Sequence, residues 1–432
     1  MKMNTLHYDL AVIGAGPSGF GAAVSAARLG LKTVLIEKTG TPGGVASFAC
    51  CPVFFGFYEK DRQIVSGLAE EVIRHLDKQG KAVFYLGDRV RMPEFRPIAG
   101  RPLTRKIGSD IESIRLAYLD FLKSAGVTNL FYTHCYGVET SGRKVTAVIA
   151  DALEGPIKIE ADFFVDATAD VHVLHRAGAS TTSEEHDNSM HKSFIFTVDN
   201  VTPSDPDAGD ARYQELLAAG KVPPWMLNYF ARGYLYEPGK VMINIFRLTD
   251  RSGVVSSDMT SLDEDARRKM FETVDFLRRE MPGFENCRII NSSTGVGVRA
   301  GRCIRGRATV TPELLATPGV PDDGIVLIRR SYGSHNTGKN FHPEWKKEVE
   351  GVSAIPYGCL LPLEFDNIAA VGRGISTHAH IMDTIRMMAT CISTGQAAGT
   401  AAYFAAKNSV MLPDISVQEL RSTLRAAGQI LD

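Results

Sequence analysis

The chain has 432 residues, 44% hydrophobic and 22% charged, which is typical of a globular protein and excludes a disordered, collagen-like or coiled-coil chain. Its 48 Lys and Arg residues balance 49 Asp and Glu residues to a net charge of −1, so the overall charge does not favour nucleic acid or an anionic membrane as a partner. No apolar run reaches the roughly 18 residues that cross a bilayer, and the seven cysteines show neither a disulfide framework nor a zinc pattern. We therefore expect a cytoplasmic protein of one large two-part fold or two to three domains, without a metal site, that acts on a small molecule.

The first forty residues predict a nucleotide-binding unit. A short buried strand over residues 8–13 leads into Gly14-Ala15-Gly16-Pro17-Ser18-Gly19, and an Ala-rich helix separates this turn from a second strand, Thr33–Ile36. Strand, glycine turn, helix and strand in this order form the context that the dinucleotide-binding fingerprint requires. A glycine turn without a ligand is the alternative.

Each special residue of this unit has a physical role. Gly14 permits the tight turn, Gly16 lets the backbone approach a pyrophosphate, and Gly19 lets the helix pack closely on the strand. The N-terminus of the helix then offers free N–H groups and its positive dipole end to the phosphates. Glu37, at the end of the second strand, can accept hydrogen bonds from both ribose hydroxyls of an adenosine.

Periodicity and capping residues predict the elements that follow. They are helices over 63–78 and 109–126 and strands over 130–138, 144–150, 157–160 and 163–165. The last strand leads into Asp166-Ala167-Thr168-Ala169-Asp170, a turn of small residues at the place where a core strand reaches the ligand crevice. This turn is a second indication of the same bound cofactor.

The composition changes between residues 180 and 343, where polar stretches surround a predicted strand over 240–247 and a capped helix over 261–279. We interpret this segment as an inserted α+β domain that binds the substrate or caps its site. A Gly- and Arg-rich stretch, residues 295–307, follows the helix.

The C-terminal part is predicted to complete the first domain. A buried strand over 368–371 leads into a turn at Gly372-Arg373, and a long helix over 384–407 carries many Gly and Ala residues. Such a small-residue face lets a helix lie against a neighbouring backbone or a flat ligand. The fold class is therefore α/β, with a discontinuous domain, residues 1–179 and 344–432, around the insertion at 180–343.

Four separated motifs in this order resemble the FAD-dependent oxidoreductase family that is related to the flavoprotein subunits of succinate dehydrogenase and fumarate reductase, within the glutathione-reductase-like FAD fold. The motifs are the N-terminal fingerprint with Glu37 and Gly43-Gly44, the stretch 164–170, the central Arg motif 297–302, and residues 386–391 followed by 395–399. The family usually has Gly where this chain has Ala169. The resemblance implies a Rossmann-like FAD-binding domain and FAD as the cofactor.

The fingerprint and the resemblance together assign a set of residues to FAD. These cofactor residues are Gly14, Gly16, Pro17, Ser18, Gly19, Glu37, Lys38, Gly43, Gly44, Ala167, Thr168, Ala169, Asp170, Gly372, Arg373, Arg386, Thr390 and Cys391. A helix beginning near residues 386–391 is expected to aim its N-terminus at the flavin edge that becomes negative on reduction, with Thr390 and Cys391 supplying backbone N–H groups. A buried helix without a ligand is the alternative.

Candidate catalytic residues lie in three places. His335, His378 and His380 are close to positions where family members often carry His, but none is in clean register, and a structural role is the alternative for each. Arg299 and Arg302 are candidate clamps for a substrate carboxylate or phosphate, and Arg299 is also a candidate catalytic residue. One of the two can instead pack against the cofactor or a carboxylate such as Asp366.

A polar segment over residues 331–339 is predicted to be a substrate loop, with Tyr332 as a substrate-binding residue. The chain has no second glycine fingerprint for a nicotinamide domain, so NAD(P)H is not expected to be the direct electron donor.

The leading hypothesis is an FAD-dependent dehydrogenase or reductase that moves a hydride between flavin N5 and a small hydroxylated or carboxylated molecule. One alternative is a flavoprotein electron-transfer subunit that works with an electron-acceptor protein, and another is an inert FAD-binding scaffold. A homo-oligomer is also left open.

Overall fold

The computed structural model describes residues 3–59, 62–85, 106–182, 190–202, 206–234, 238–317, 319–331 and 348–432. The helices are α1 (Pro17–Arg28), α2 (Val45–Phe48), α3 (Leu68–Lys78), α4 (Ile111–Ser124), α5 (His172–Arg176), α6 (Pro206–Ala218), α7 (Ser256–Glu280), α8 (Pro312–Ala316), α9 (Met382–Ile385), α10 (Met388–Asn408) and α11 (Val417–Ala426). The strands are β1 (Asn4–Ile13), β2 (Thr33–Ile36), β3 (Val53–Phe55), β4 (Tyr58–Glu59), β5 (Arg62–Gln63), β6 (Val83–Tyr85), β7 (Lys106–Gly108), β8 (Thr128–Leu130), β9 (His134–Ser141), β10 (Lys144–Ala152), β11 (Gly155–Asp166), β12 (Thr181–Thr182), β13 (Phe196–Asp199), β14 (Arg232–Tyr234), β15 (Val241–Ile243), β16 (Arg288–Ser292), β17 (Cys303–Ile304), β18 (Gly324–Ser331), β19 (Glu348–Pro356) and β20 (Ile368–Ala370). Within these described ranges, no helix is both long and apolar enough to cross a membrane.

The central sheet has the strand order β8-β2-β1-β11-β10-β9, with β20 beside β11. β1 pairs in parallel with β2 and β11, β2 with β8, and β11 with β20, whereas β10 pairs antiparallel with β9 and β11. Val12 of β1 faces the core that contains α1, and Ile13 faces the core on the opposite side. The carboxyl ends of β1, β2, β11 and β20 therefore meet at one edge, where open α/β sheets bind ligands. This arrangement confirms the predicted α/β class.

The close crossing of α1 and α10 explains why both helices carry small residues. Gly395 of α10 faces the backbone of Ser18 in α1, and Gly399 faces the backbone of Ala22. A Cβ atom on either glycine would overlap a backbone oxygen of α1. The small-residue face therefore packs against a neighbouring backbone, one of the two roles that the sequence allowed.

A second core lies under a four-stranded sheet of order β14-β15-β13-β16, inside the predicted insertion. Phe196 and Val198, on one face of β13, pack with Leu262 and Val274 of α7. Residues 325–328 of β18, in contrast, belong to the main core with α10. The domain limits at 179 and 343 stay a prediction.

Two predicted starts differ from the structure for local reasons. Residue 63 does not open a helix because β5 pairs with Tyr58–Glu59 in a short hairpin before α3. Asp110, and not Ser109, caps α4, since an Asp110 carboxylate oxygen accepts a hydrogen bond of 2.7 Å from the Ser113 N–H. In addition, the two strands predicted between residues 157 and 165 form one continuous strand, β11.

Candidate functional site

The glycine turn after β1 forms a narrow cradle against its neighbours. Gly14 has a φ of +104°, and a Cβ atom there would lie 2.5 Å from the Ala167 carbonyl oxygen. Gly43 and Gly44 have φ angles of +113° and +48°, and a Cβ atom on Gly44 would lie 2.7 Å from Cα of Gly16. These positions need glycine both for the backbone angle and for the close approach. The glycines therefore let the turn after β1, the turn before α2 and the turn after β11 pack closely against one another.

The first turn of α1 lies beside this cradle. Pro17 occupies its first position, where the missing N–H costs no hydrogen bond, and Ser18 and Gly19 follow. The N–H groups at this end have no acceptor within the helix, and the helix dipole is positive there. A glycine cradle at the N-terminus of a 12-residue helix fits the diphosphate of a dinucleotide.

Glu37 joins the end of β2 to the glycine turn. Its Oε2 accepts a hydrogen bond of 2.8 Å from the Ala15 N–H, and its Oε1 accepts hydrogen bonds from the N–H and hydroxyl of Thr39 at 2.9 and 3.0 Å. Lys38, the next residue, is exposed. Glu37 thus has a structural role that sequence reasoning missed, and the predicted ribose contact remains a prediction.

The turn after β11 is held by a buried carboxylate. Asp166 accepts hydrogen bonds from the N–H and hydroxyl of Thr168, at 3.1 and 2.6 Å, and from the Leu174 N–H at 3.0 Å. Burial raises the pKa of Asp166, and these hydrogen bonds oppose that rise. The Thr168 hydroxyl also accepts a hydrogen bond from the His172 N–H. The Thr168 side chain therefore holds the loop, and any contact between this residue and the cofactor stays a prediction.

Ala169 adopts a left-handed backbone conformation with a φ of +69°. The family motif usually has Gly at this position, and Gly is the residue that adopts such angles without a steric cost. The departure from the family pattern therefore places strain in the loop beside the cradle.

We expect Ala169→Gly to raise the free energy of unfolding by roughly 0.5–1 kcal/mol, because relief of the left-handed strain exceeds the extra entropy of Gly in the unfolded chain. Chemical denaturation measures the change. Ala177→Gly is the matched control, since Ala177 has an ordinary φ of −70°; we expect it to destabilise. If both variants lose stability equally, the strain argument is wrong.

A buried ion pair connects the turns after β11 and β20. Arg373 Nη2 donates a hydrogen bond of 2.8 Å to Asp170 Oδ2, and both side chains are largely buried. Asp170 Oδ1 and Arg373 Nη1 are buried without a hydrogen-bond partner among the described residues. A hydroxyl group both donates and accepts, so a polyhydroxylated chain such as the ribityl chain of FAD fits these two atoms. Gly301 packs directly on the pair, and a Cβ atom there would lie 2.8 Å from Arg373 Nη1.

The turn at Gly372 brings three predicted cofactor residues into contact. Its N–H donates a hydrogen bond of 3.1 Å to the Thr394 hydroxyl of α10. With a φ of +65°, Gly372 approaches α1 and α10 so closely that a Cβ atom would lie 2.8 Å from Ser18 Oγ and 3.5 Å from Cys391 Sγ. Burial raises the pKa of Cys391 to about 12, so the thiol is protonated at neutral pH.

The long C-terminal helix begins at Met388, four residues after the predicted start at 384 and within the range 386–391 where its N-terminus was expected. α10 starts at Met388 with Met387 as its N-cap, so its free N–H groups belong to residues 388–390, which include Thr390. The Cys391 N–H instead donates to the Met387 carbonyl oxygen at 2.8 Å. This N–H closes the first turn of the helix, and the predicted contact of Cys391 with the cofactor stays a prediction.

Arg299 lies in a buried group of charged side chains. Its loop is fixed by two backbone hydrogen bonds between Ser193 and Gly297, at 2.8 and 3.1 Å, and its Nη1 donates a hydrogen bond of 2.6 Å to the His191 carbonyl oxygen. Burial and the nearby charge of Arg386 together lower the pKa of Arg299 to about 10, while Asp383 opposes this shift. Arg386 pairs with Asp383 itself. Arg386, predicted to be a cofactor residue, is therefore a neighbour of the candidate catalytic Arg299.

Sequence reasoning missed two members of this group, Asp383 and Tyr229. Tyr229 is 47% exposed; its partial burial raises its pKa, the charge of Arg299 lowers it and that of Asp383 raises it, so both charges lie near the phenol. Asp383 precedes Arg386 by three residues, a spacing that favours ion pairs within helices. This spacing is the sequence pattern from which the Asp383–Arg386 pair could have been predicted. Tyr229 lies in the second core's domain, 70 residues before Arg299, and no local pattern marks it. We call these four residues the Arg299 cluster: Arg299, Arg386, Asp383 and Tyr229.

Arg302 lies in different surroundings from Arg299. Its Nη2 is 3.4 Å from the Val254 carbonyl oxygen. Its positive charge lowers the pKa values of His172 and His175 in α5. Asp366, considered as a partner for either arginine, pairs instead with Arg143 and Arg307. The structure does not bring Arg302 into the Arg299 cluster, where a substrate clamp was expected.

The candidate histidines are partly outside the described residues. The rings of His378 and His380 lie 5.0 Å apart, and the His378 N–H donates to the Val310 carbonyl oxygen. The charge of His378 acts on Glu313 of α8, which lies at the surface. His335 and Tyr332 fall within residues 332–347, outside the described part of the chain. Catalytic roles for these histidines stay predictions.

Solved structures resemble this chain along almost its whole length. A geranylgeranyl bacteriochlorophyll reductase-like protein from Thermoplasma acidophilum aligns with a TM-score of 0.50 and 14% identity, covering 99% of this chain and 85% of that one. BexE, studied for oxidation during BE-7585A biosynthesis, aligns with a TM-score of 0.53 and 12% identity, covering 97% and 65%. CabE, an aromatic hydroxylase from angucycline biosynthesis, gives 0.51 and 11% over 97% and 65%. At these identities the likeness shows the fold alone.

Curated relatives match over a short segment. Mitochondrial dihydrolipoyl dehydrogenase from Schizosaccharomyces pombe is 54% identical over 46 residues, which is 10% of this chain and 9% of the relative. Leghemoglobin reductase from Glycine max is 56% identical over 45 residues, again 10% and 9%. The chain thus spans about a tenth of the length of these relatives.

The family model described as FAD dependent oxidoreductase matches residues 9–424, nearly the whole chain. This match confirms the family resemblance seen in the motifs, and with it FAD as the cofactor, which the cradle and the Asp170–Arg373 pair fit. The chain belongs to the FAD dependent oxidoreductase family.

Proposed function

We propose that this protein transfers a hydride between FAD and a small polar substrate, hydroxylated or carboxylated, and that Arg299 and Arg386 bind a carboxylate of this substrate. The observation that supports the proposal is the excess of positive charge in the Arg299 cluster, which places two guanidinium groups beside one carboxylate.

Burial of like charges is unfavourable unless an anion compensates them. Asp383 compensates one positive charge, and it is already paired with Arg386. A substrate carboxylate would balance the second charge, and a guanidinium group is suited to hold it because its planar fork can donate two parallel hydrogen bonds. The charge of the cluster therefore favours an anionic substrate over a neutral sugar or polyol.

Other groups of the chain can support the reaction. When bound, the flavin of FAD supplies the hydride chemistry at N5. The N-terminus of α10 offers free N–H groups at residues 388–390, which can stabilise negative charge on a reduced ring. Tyr229 is protonated at neutral pH, since the pKa of tyrosine is ordinarily about 10 and is raised here, so its hydroxyl can donate a hydrogen bond or a proton to a substrate oxygen.

The test is anaerobic bleaching of the flavin absorption band by a panel of small molecules. The panel contains hydroxy acids, their carboxamide analogues, polyols and sugars. Two further samples contain NADPH alone and NADPH with a phenol. We expect at least one hydroxy acid to bleach the band, and its carboxamide analogue to do so at least about 10-fold more slowly, since the amide loses the charge that the arginines bind.

The controls separate the alternatives. Bleaching by NADPH alone would overturn the expectation that nicotinamide is not the direct donor, and with it the proposed reaction. Equal rates for an acid and its amide would overturn the role of the two arginines. A band that no small molecule bleaches would favour the electron-transfer subunit or the inert scaffold.

A further inference from the structure

The two arginines of the central motif have separate surroundings. Arg299 lies in the Arg299 cluster, three residues before Arg302. Arg302 directly precedes β17, and β17 pairs with β12, which follows α5 closely along the chain. This pairing brings Arg302 to the segment that leaves β11, away from Arg386.

Several positive side chains come together at this place because of the sheet topology. Lys38 follows β2 and α5 follows β11, so both leave the sheet at the edge that carries the glycine cradle. Burial, together with the charges of Arg176, Arg302 and Lys38, lowers the pKa of His172 to about 4. All three cations therefore lie near the same histidine.

Among the side chains that the structure describes, the negative charge at this edge is smaller than the charge of the three cations. The charge of Asp170 raises the pKa of His172, but the Asp170 carboxylate is already paired with Arg373. Arg302 itself makes one side-chain hydrogen bond to the described residues, the long contact of 3.4 Å with the Val254 carbonyl oxygen. A guanidinium group has five N–H donors, so most of its capacity is available for an anion.

We propose that Arg302, supported by Lys38 and Arg176, binds the diphosphate of FAD. The glycine cradle and the first turn of α1 offer backbone N–H groups to this diphosphate, and Arg302 adds the charge that those neutral groups lack. The motif 297–302 then serves both ends of the cofactor site, with Arg299 toward the substrate and Arg302 toward the nucleotide. The proposal rests on the FAD site of the family, and it does not depend on the substrate proposed above.

The test measures ligand binding by the full chain after removal of its flavin. Isothermal titration with ADP, adenosine and FAD compares the wild type with Arg302→Gln. We expect the Kd of ADP and of FAD to rise about 10-fold, since a charge-assisted contact to phosphate is lost, and the Kd of adenosine to stay unchanged. The difference should shrink at high salt, because ions screen a contact between partly exposed charges.

Two further variants make the result specific. Arg305→Gln removes an exposed arginine of the same charge three residues later, and we expect no change in any Kd. Arg302→Lys keeps the positive charge and should retain ADP binding within about threefold of the wild type, since Lys is a weaker but still cationic phosphate ligand.

Other outcomes would overturn the assignment. Unchanged ADP binding together with a raised KM for the substrate would return Arg302 to the substrate site. Equal losses of ADP and adenosine binding, with a lower unfolding midpoint, would show a role in folding only. Neither result would change the test of the substrate carboxylate, which depends on Arg299.

Discussion

Gly395→Ala is expected to destabilise the protein by about 3 kcal/mol or more and to reduce the amount of flavin that it retains. A Cβ atom at this position would overlap the Ser18 carbonyl oxygen and lie 2.8 Å from the Ala22 nitrogen, so the backbones of α1 and α10 would have to separate. Both obstacles are backbone atoms of a packed helix and cannot be relieved by a side-chain rotation. Because Ser18 lies in the first turn of α1, the shift would also disturb the cofactor cradle.

Gly209→Ala is the matched control for this substitution. Gly209 also lies within a helix, but the nearest atom to its Cβ would be Arg232 Nη2 at 3.4 Å, an ordinary contact with a flexible side chain. Ala is favoured over Gly inside helices by about 1 kcal/mol, so this variant should be neutral or more stable. Denaturant unfolding and the ratio of flavin to protein absorbance measure both effects. Wild-type stability and flavin content in Gly395→Ala would contradict the close crossing of the two helices.

Arg299→Gln is expected to lower kcat/KM for a carboxylated substrate about 100-fold or more, since a buried charge contact to the substrate is lost. We expect the free energy of unfolding not to fall. The pKa of Arg299 is lowered to about 10, which corresponds to roughly 3 kcal/mol against the charged side chain. Below pH 10 the arginine is charged in both the folded and the unfolded chain. At neutral pH the folded protein therefore bears the whole free-energy cost of burying this charge. Loss of the hydrogen bond to the His191 carbonyl oxygen offsets only about 1 kcal/mol of the gain.

The combination of lost activity and kept stability distinguishes a binding residue from a structural one. FAD content should be unchanged in Arg299→Gln, and Arg299→Lys should recover part of the activity because it restores the charge without the planar fork. Arg305→Gln should leave both measurements unchanged. Loss of stability and FAD in Arg299→Gln, in proportion to the loss of activity, would show that the arginine acts through the fold.

The nucleotide-binding unit was predictable because its signals are local. The turn requires glycine at Gly14 for its backbone angle, the helix begins at Pro17, and Glu37 ends the second strand within a stretch of about 25 residues. Periodicity located most strands of the sheet for the same reason, since alternation within one strand reflects the two faces of the sheet. The strand predicted over 130–138 instead spans the end of β8 and the beginning of β9. The family motifs were sufficient to predict FAD as the cofactor without knowledge of any tertiary contact.

The start of the long helix was less predictable from local signals. Arg386 and Met387 are compatible with a helix, and only hydrogen bonding shows that α10 begins at Met388 and that the Cys391 N–H is already used. Helix starts depend on which residue adopts the extended cap conformation, and the sequence near residue 387 has no strong capping residue.

Length, composition and short motifs were therefore sufficient for the α/β class, the FAD cradle and the family, because each rests on residues that are close together in the chain. Which charged side chains lie next to one another was decided only by the tertiary structure. Arg299 meets Arg386 and Asp383 across more than 80 residues, and Gly301 meets Asp170 across more than 130. Such contacts are set by how the segments around the second core pack against the edge of the central sheet. That packing separates Arg299, proposed to bind the substrate, from Arg302, proposed to bind the diphosphate, and no local sequence pattern predicts this separation.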